Sequence, residues 1–509
     1  MEQSFSSDTR CEVRTAAGIV RGRFERGVAV FRGIPYAEPP VGVRRFMPPV
    51  SVVGWEGVRD AVAFGPRVPQ AGNRGSVMDS VSGCVGDGSG DCLTLNVWSP
   101  DLGAVNMPVM VWIQGGTYLE NDSGNPHCDG AGLAAAGVVV VSMNYRVGMD
   151  GFGRIAGVPD NRGILDQVAA LRWVRENIAG FGGDPGNVTV FGQSAGGACI
   201  AALLVMPLAA GLFRRAIIQS MAGTCFSPRL AGAVSDAIAG RLGVRATVAE
   251  LAELTPRALI EASGAVLAGM PARLREWGPM ALTPTPFSPV VDGEVLPCAP
   301  WRGIAEGAAR GVDVLIGHTR DESRLYMSRP AGELTEARVA AAFDHLSPGS
   351  DGRAVYRDAY PAATVSERFE ILHSDWLFRM PALHLAEAAH AGGGPVWMYE
   401  LAWGFNAAQG SSHCLDFLLV FGTLGPDEVR AHPRAYPDAA AEIGEVARRM
   451  RGDWVRFAAD ARPGWPRFDR RARTTRVYDA ESITRAYPEE ASRRIWSGHR
   501  FGTLDLRPG

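Results

Sequence analysis

Lysine is missing from this chain of 509 residues, so arginine supplies all 51 positive side chains other than histidine. Set against 54 acidic residues, they leave a formal net charge of -3. We interpret the missing lysine as a compositional bias of the genome without functional meaning. The near-neutral balance gives no electrostatic reason to expect binding to nucleic acid or to an anionic membrane.

Apolar segments that direct a chain to or through a membrane are also missing. The first ten residues contain no apolar core of a secretory signal. No apolar run is long enough to span a bilayer, and we therefore expect a cytoplasmic protein. Because 46% of the residues are hydrophobic and no repeat or low-complexity linker occurs, one catalytic domain over residues 1–509 is the simplest expectation.

Cysteine is scarce, and the eight that occur lack the spacing of a metal site or a redox motif. In a cytoplasmic protein, reduced thiols are expected. No glycine-rich run resembles a phosphate loop, and no cluster of histidine and acidic residues has the spacing of metal ligands. The sequence therefore predicts neither a metal nor a cofactor.

The most informative stretch that is present reads Val-Thr-Val-Phe-Gly-Gln-Ser-Ala-Gly-Gly at residues 188–197. It begins as a β-branched apolar run, turns at Ser194, and continues over residues 198–204 as a good helix former. Strand, tight turn and helix are the context that a G-x-S-x-G nucleophile elbow requires. Small residues are needed two positions on either side of the serine, where Gly192 and Gly196 stand. The N–H groups that begin the helix would stabilise negative charge developing at the serine.

Strand and helix patterns alternate along the chain. Residues 109–113 and 138–142 are continuously apolar, which favours buried parallel strands, and residues 164–178 carry apolar side chains at a helical period. This alternation predicts an α/β fold that binds ligands at the carboxyl ends of its strands. Residues 230–280 are helix-rich but interrupted by prolines such as Pro256. We interpret them as an insertion over the sheet that forms a lid or pocket wall.

Together these residues resemble the type-B carboxylesterase family of α/β-hydrolases, which includes cholinesterases and para-nitrobenzyl esterases. The resemblance covers nearly the whole chain and implies a large, mostly parallel central sheet flanked by helices, with helical insertions. Its motifs occur in the family's order: Gly-Ile-Pro-Tyr-Ala at 33–37, Asp-Cys-Leu at 91–93, Leu-Asn-Val at 95–97, the segments 161–167, 170–174 and 181–185, the elbow, Pro-Val-Val-Asp-Gly at 289–293, and Trp-Pro at 465–466.

The resemblance also implies a Ser-His-Glu triad. The family's acid lies in a G-x-x-x-D-E-G loop after a strand, and Glu322 takes that position in residues 317–323. The family's histidine lies in an H-x-x-D/E segment, which His413 matches. The order Ser194, Glu322, His413 is the order of an α/β-hydrolase. In such a triad the imidazole removes the serine proton, while the carboxylate fixes the tautomer of the imidazole and stabilises its charged form.

In this family, main-chain N–H groups form the oxyanion hole, which implies Gly116, Thr117 and Ala195. Ser220 matches a serine that supports the acid and the histidine from behind. A buried serine whose hydroxyl is satisfied by the backbone is an equally good interpretation of Ser220.

The chain departs from the family's pattern at several positions. Gln114 stands where histidine is common, and Thr117 replaces a small residue. The donor at that position is main chain, so a threonine can serve if its φ is negative. Cys92 lacks its usual disulfide partner, and Cys84 is a possible local substitute.

The residues after the oxyanion stretch include Tyr118, Glu120 and Asp122. In the family this segment runs along the pocket wall. The two carboxylates are either solvated loop charges, which is the commoner case, or they face the pocket. In the second case they would favour an ester that carries a cationic group.

Other residues compete for the triad roles. His318 lies one helical turn before Glu322, and we interpret it as a surface loop histidine. Asp321 precedes the position of the family's acid by one residue. Asp416 and Asp292 are interpreted as loop and turn residues.

The sequence therefore predicts a serine carboxyl-ester hydrolase that acts on a small-molecule ester through an acyl-enzyme on Ser194. A first alternative is an acyltransferase, or an ester- or lactone-processing enzyme of specialised metabolism, with the same triad. Water access to the acyl-enzyme distinguishes these functions. A second alternative is a non-catalytic, cholinesterase-like binding module, but such modules typically lose the serine or the histidine. No oligomeric state is predicted.

Overall fold

Strands form the centre of the molecule. The computed structural model describes residues 11–71, 90–120, 122–324 and 334–507. Within these ranges the strands are β1 (Glu12–Arg14), β2 (Ile19–Arg21), β3 (Arg23–Glu25), β4 (Val28–Pro35), β5 (Val58–Asp60), β6 (Thr94–Ser99), β7 (Met107–Ile113), β8 (Val139–Met143), β9 (Gly183–Gln193), β10 (Arg215–Gln219), β11 (Asp313–Thr319), β12 (Val396–Leu401), β13 (Thr474–Tyr478) and β14 (Ile483–Ala486).

Eleven of the strands in the described ranges form one sheet, in the order β14-β13-β12-β11-β10-β9-β7-β8-β6-β4-β3. The pairs from β8 to β13 are parallel, and the pairs toward both edges are antiparallel. Strand β7 lies between β8 and β9, so the direction of winding reverses beside it. In open α/β sheets, ligands bind at such a reversal, outside the carboxyl ends of the strands.

Helices follow most of the strands and cover the sheet. Those described are α1 (Ala131–Ala134), α2 (Gly148–Phe152), α3 (Arg162–Asn177), α4 (Ala195–Leu203), α5 (Pro228–Arg241), α6 (Val248–Leu251), α7 (Pro256–Gly269), α8 (Leu274–Trp277), α9 (Pro300–Ala305), α10 (Glu336–Leu346), α11 (Gly352–Ala359), α12 (Val365–Ser374), α13 (Met380–Ala391), α14 (Leu415–Phe421), α15 (Pro426–Ala431), α16 (Ala439–Asp460) and α17 (Glu490–Ile495). A π-helix (Asp375–Arg379) joins α12 to α13.

Both faces of the sheet are buried, which explains why its strands read as continuous apolar runs. Along β7, Val109 and Val111 enter one hydrophobic core, whereas Met110 and Trp112 enter the other. The first core includes side chains of α3 and α4, and the second includes side chains of α14 and α16. The sheet is therefore a rigid platform whose edge at the carboxyl ends of the parallel strands carries the loops described below.

The stretch 230–280 contains helices α5 to α8, and α5 packs against α7. Each of these two helices begins with a proline that follows a capping side chain. Ser227 accepts a hydrogen bond from the Leu230 N–H, and Thr255 plays the same part before Pro256. Proline lacks an N–H that the first turn would leave unpaired, so Pro256 begins a helix here and does not break one.

Cys92 is a buried free thiol, and Cys84 lies outside the described residues. None of the helices that the structure describes combines the length and the apolar character needed to cross a membrane.

Candidate active site

Ser194 occupies the sharp turn between β9 and α4, with φ 59° and ψ -123°. This is a sparsely populated backbone conformation for a residue with a side chain. The neighbouring glycines are needed because the end of β7 comes so close. A Cβ on Gly192 would lie 2.6 Å from the carbonyl oxygen of Ile113, and a Cβ on Gly196 would lie 2.0 Å from the same atom. The strand, turn and helix predicted around Ser194 are thus present.

Glu322 and His413 meet at the carboxyl edge of the sheet. Glu322 follows β11 and is fully buried, and His413 lies in the loop between β12 and α14. The Nδ1 atom of His413 lies 2.5 Å from Oε2 of Glu322. The other carboxylate oxygen accepts a hydrogen bond of 2.9 Å from the N–H of Thr319. Because a carboxylate can only accept, Nδ1 carries the proton and Nε2 of the neutral ring is the acceptor.

The pKa of the Glu322 carboxyl lies below its ordinary value. Burial raises this pKa, but the charge of His413 and its hydrogen bond outweigh burial, with smaller lowering contributions from Ser220 and His318. Ser220 is fully buried, and its hydroxyl makes no hydrogen bond of ordinary geometry with the described residues. The structure thus places Ser220 beside the acid, where the resemblance puts it.

Two further side chains contact His413. The amide Nε2 of Gln193 lies 2.9 Å from the imidazole Nε2, and the Phe378 ring lies 4.3 Å from the imidazole between centroids, tilted by 35°. Gln193 immediately precedes Ser194, so the end of β9 carries both Ser194 and a contact to His413. Neither contact is predicted from the sequence. A polar residue buried next to the elbow serine could have indicated Gln193, whereas no local pattern indicates the π-helix that carries Phe378.

The oxyanion stretch has a left-handed backbone. Gly116, Thr117 and Tyr118 adopt φ values of 125°, 54° and 60°. The expected condition that Thr117 has a negative φ is therefore not met, and its β-branched side chain is strained in this region. The hydroxyl of Thr285 holds the stretch in place by donating to the Thr117 carbonyl at 2.5 Å. The N–H of Gly148 donates to the Tyr118 carbonyl at 2.7 Å.

The predicted oxyanion donors are available. Within the described part of the chain, the N–H groups of Gly116, Thr117 and Ala195 have no protein acceptor. Thr117 and Ala195 also line the same pocket as Ser194. Unsatisfied main-chain donors beside a strained serine form an arrangement suited to binding a negatively charged oxygen.

A narrow pocket lies over Ser194. Glu120 and Asp122 are not among its lining residues, and Asp122 forms an ion pair of 2.7 Å with Arg67. This ion pair offsets the charge of Asp122, and the preference for cationic esters through Glu120 or Asp122 stays a prediction. The residues that line the pocket are Thr117, Tyr118, Ser194, Ala195, Ala222, Thr224, Thr283, Pro284, Thr285, Leu377 and Phe378.

The residues that compete for the triad roles lie elsewhere. His318 is fully buried and not on a surface loop, and its Nε2 lies 3.0 Å from the Tyr487 hydroxyl. Burial lowers the pKa of His318 to about 4, with a further contribution from a neighbouring arginine. Asp321 accepts a hydrogen bond from the main chain of Ser411.

The prediction that Asp416 is a loop residue is also wrong. It lies in the first turn of α14, fully buried, and accepts a hydrogen bond of 2.7 Å from Tyr399. Asp292 does lie in a turn, where it accepts hydrogen bonds from the N–H groups of Glu294 and Leu296.

Comparison with known proteins agrees with this arrangement. The model of the carboxylesterase family matches residues 9–482. Para-nitrobenzyl esterase of Bacillus subtilis (strain 168) is 37% identical over 497 residues, covering 95% of this chain and 97% of the relative. Fumonisin B1 esterase of Sphingopyxis macrogoltabida is 34% identical over 492 residues, covering 92% and 86%.

Solved structures of related enzymes share the fold. A structure of PNB esterase superimposes with a TM-score of 0.82 at 35% identity, covering 95% of this chain and 99% of the other. A carboxylesterase of Geobacillus stearothermophilus gives a TM-score of 0.80 at 33% identity, covering 96% and 100%. The predicted α/β-hydrolase fold is thereby confirmed. The chain belongs to the carboxylesterase family and is a carboxylic-ester hydrolase.

Proposed function

We propose that this enzyme is a serine carboxyl-ester hydrolase that works through an acyl-enzyme on Ser194. The observation that carries the proposal is the position of His413, which lies 2.5 Å from the Glu322 carboxylate and contacts the residue next to Ser194. In this proposal Ser194 is the nucleophile, His413 the general base and Glu322 the carboxylate that orients the base. Ser220 supports Glu322 from behind.

In the first half of the reaction, the ester carbonyl oxygen accepts hydrogen bonds from the N–H groups of Gly116, Thr117 and Ala195. The Ser194 oxygen attacks the carbonyl carbon while His413 Nε2 takes the hydroxyl proton. The buried carboxylate of Glu322 stabilises the imidazolium that results. Collapse of the tetrahedral intermediate breaks the ester bond, and His413 returns its proton to the departing alcohol.

In the second half, the same groups act on water. His413 removes a proton from a water molecule, which attacks the acyl carbon, and the proton then returns to Ser194 as the carboxylic acid leaves. The oxyanion donors stabilise both tetrahedral intermediates, because the negative charge develops on the same oxygen each time.

The substrate proposed is a small-molecule ester. Two relatives are named for para-nitrobenzyl esters and for fumonisin B1, and the narrow pocket over Ser194 does not accommodate a polymer. Location in the cytoplasm and catalysis without a metal or cofactor stay predictions of the sequence.

Labelling with a fluorinated organophosphate, followed by peptide mass spectrometry, tests the nucleophile. We expect one label per chain on the peptide that contains Ser194, and no label in Ser194→Ala. Turnover of p-nitrophenyl esters by Ser194→Ala should fall by roughly 10⁴–10⁶, with the thermal unfolding midpoint nearly unchanged. Normal turnover in the purified variant would contradict the proposal.

A further inference from the structure

The turn that carries Glu322 is bonded at both of its ends to the π-helix region between α12 and α13. The guanidinium of Arg379, the last residue of the π-helix, donates to the carbonyl of Arg320 at 3.0 Å. The hydroxyl of Ser374, which immediately precedes the π-helix, accepts a hydrogen bond of 3.0 Å from the N–H of Ser323. Both contacts are therefore made within two residues of the acid.

These two contacts depend on the π-helical conformation. An α-helix turns by about 100° per residue, so side chains five positions apart point about 140° away from each other. In a π-helix the hydrogen bonds run between residues five positions apart, which brings such side chains to nearly the same face. Ser374 and Arg379 are five positions apart, so the wider turn directs both side chains at the same loop.

Arg379 is itself held firmly in place. Its guanidinium forms an ion pair of 2.7 Å with Asp375, and neither side chain is more than 3% exposed. The second carboxylate oxygen of Asp375 accepts hydrogen bonds from the Tyr356 hydroxyl at 2.8 Å and from the Ser492 hydroxyl at 2.5 Å. The carboxylate is thus fixed by three partners and in turn fixes the guanidinium.

The π-helix also contacts the histidine. The Phe378 ring lies 4.3 Å from the His413 ring between centroids. A further hydrogen bond joins the turn to the loop of His413, where the N–H of Asp321 donates to the Ser411 carbonyl at 2.9 Å. One short element therefore contacts both the turn of the acid and the ring of the base.

We propose that Ser374 and Arg379 are positioning residues that hold the turn of Glu322 at hydrogen-bonding distance from His413. The inference rests on the proposed roles of Glu322 and His413 in the reaction. A carboxylate displaced from the imidazole no longer fixes its tautomer or stabilises its charged form. Loss of either contact should lower kcat and leave KM nearly unchanged, because neither side chain is among those that line the pocket over Ser194.

Ser374→Ala tests the inference, and Ser492→Ala is its matched control. Both remove a fully buried serine hydroxyl from the same cluster, but of the two serines it is Ser374 that contacts the turn. Steady-state kinetics on a p-nitrophenyl ester give kcat per active site once the sites are counted by organophosphate labelling. We expect kcat to fall by about 10-fold in Ser374→Ala, because a small misplacement of the acid is costly. Ser492→Ala should keep the kcat of the parent enzyme.

Arg379→Lys tests the second contact. Lysine keeps the positive charge beside Asp375, but it presents its donors at one point and not as a planar fork. It therefore cannot bond to Asp375 and to the Arg320 carbonyl as arginine does, and kcat should fall by about 10²-fold.

A double-mutant cycle with Glu322→Gln shows whether the effect acts through the acid. In that background Ser374→Ala should cost almost nothing further, because the charged group that it positions is already gone. Equal losses of kcat in the two backgrounds would overturn the inference. A lower thermal unfolding midpoint of Ser374→Ala with kcat per labelled site unchanged would overturn it as well, since that is the result of a purely structural role.

Organophosphate labelling separates this inference from the proposed function. Failure to label Ser194 in the unmodified enzyme would overturn the proposed function itself. Stoichiometric labelling with equal kcat in Ser374→Ala and Ser492→Ala would overturn only the positioning role. If either Ser374→Ala or Arg379→Lys does not fold, the other decides, since an unchanged kcat in that variant is equally contrary.

Discussion

Thr117 combines a main-chain N–H proposed as an oxyanion donor with an unfavourable backbone conformation. Its φ of 54° is in the left-handed region, where a β-branched residue is rare. Its own hydroxyl donates to the Gly116 carbonyl at 2.7 Å and is therefore already used. At the scale of single residues, the role proposed for Thr117 therefore rests on its N–H and not on its side chain.

Thr117→Gly should therefore keep kcat/KM within a few-fold of the parent enzyme. Glycine adopts a positive φ without strain and retains the N–H that would bind the oxyanion. Steady-state kinetics on a p-nitrophenyl ester checks the expectation. A loss of two orders of magnitude, which is the size expected when an oxyanion donor is removed, would show that the hydroxyl is the donor.

Substitutions of the three proposed triad residues should reduce kcat by different amounts. His413→Ala should reduce kcat as much as Ser194→Ala, because the two side chains act as one unit and their losses do not add. Glu322→Gln should cost less than either, since an amide still accepts from the Thr319 N–H and leaves nucleophile and base in place. Kinetics of the three variants and of His318→Ala give the comparison. A larger loss in His318→Ala than in His413→Ala would show that the base is misassigned.

At the scale of elements, the elbow depends on close contact between the end of β7 and the start of α4. A Cβ on Gly196 would lie 2.0 Å from the Ile113 carbonyl oxygen and 2.9 Å from the Gln114 carbonyl carbon. Both atoms belong to the backbone, so a change of side-chain rotamer cannot relieve the contact. The side chain at this position therefore controls the distance between the nucleophile and the oxyanion stretch.

Gly196→Ala should lower kcat/KM by about 10²-fold or more, because it forces these two segments apart by about 1 Å. Gly264→Ala is the matched control. Gly264 lies within α7, and among the described residues no atom beyond its own helix backbone and chain neighbours lies within 4 Å of its added Cβ. Alanine there should stabilise the helix by about 1 kcal/mol. Kinetics and thermal unfolding of both variants test the argument. Equal activity in the two variants would contradict it.

The strands and helices were easier to predict from the sequence than the contacts between side chains. The buried strands, the helix α3 and the elbow follow from periodicity and from glycine positions, because both faces of the sheet are buried and the turn leaves room only for small residues. Glu322 and His413 were assigned through the family's motifs, since nothing local shows that they meet.

The missed features depend on tertiary structure. The φ of Thr117 is set by contacts with Thr285 and Gly148. Asp416 has a turn-forming side chain but lies buried against Tyr399. The π-helix that carries Phe378 has no sequence pattern of its own. In each case distant residues decide a local conformation.

At the scale of the whole molecule, a buried carboxyl affects how stability varies with pH. Glu400 on β12 is fully buried, and it accepts hydrogen bonds from Arg320. Burial, together with the nearby Glu489, raises its pKa to about 8. The folded protein therefore holds a proton that the unfolded chain releases near pH 4.5. Stability contributed by this proton is complete at low pH and is lost as pH rises from about 4.5 to 8.

Glu400→Gln should reduce the loss of stability across that pH range, because an amide stays neutral at every pH. The difference should be on the order of a few kcal/mol in the free energy of unfolding. Urea denaturation of the parent and the variant at pH 5.5 and pH 8.5 measures it. Glu261→Gln is the control, since Glu261 forms an exposed ion pair with Arg257. A parent enzyme that is more stable at pH 8.5 than at pH 5.5, with Glu400→Gln changing nothing, would refute the expectation.

The arrangement of the sheet also bears on how the enzyme is made. Strands β9 to β14 lie side by side in the order in which the ribosome synthesises them. Each newly made strand therefore has its partner edge already present, so this strand order requires no rearrangement of this half of the sheet during synthesis. A nascent chain that ends before His413 already contains the elbow and the oxyanion stretch, but it lacks the residue proposed as the base. If that proposal holds, Ser194 should stay unreactive until the loop after β12 has left the ribosome.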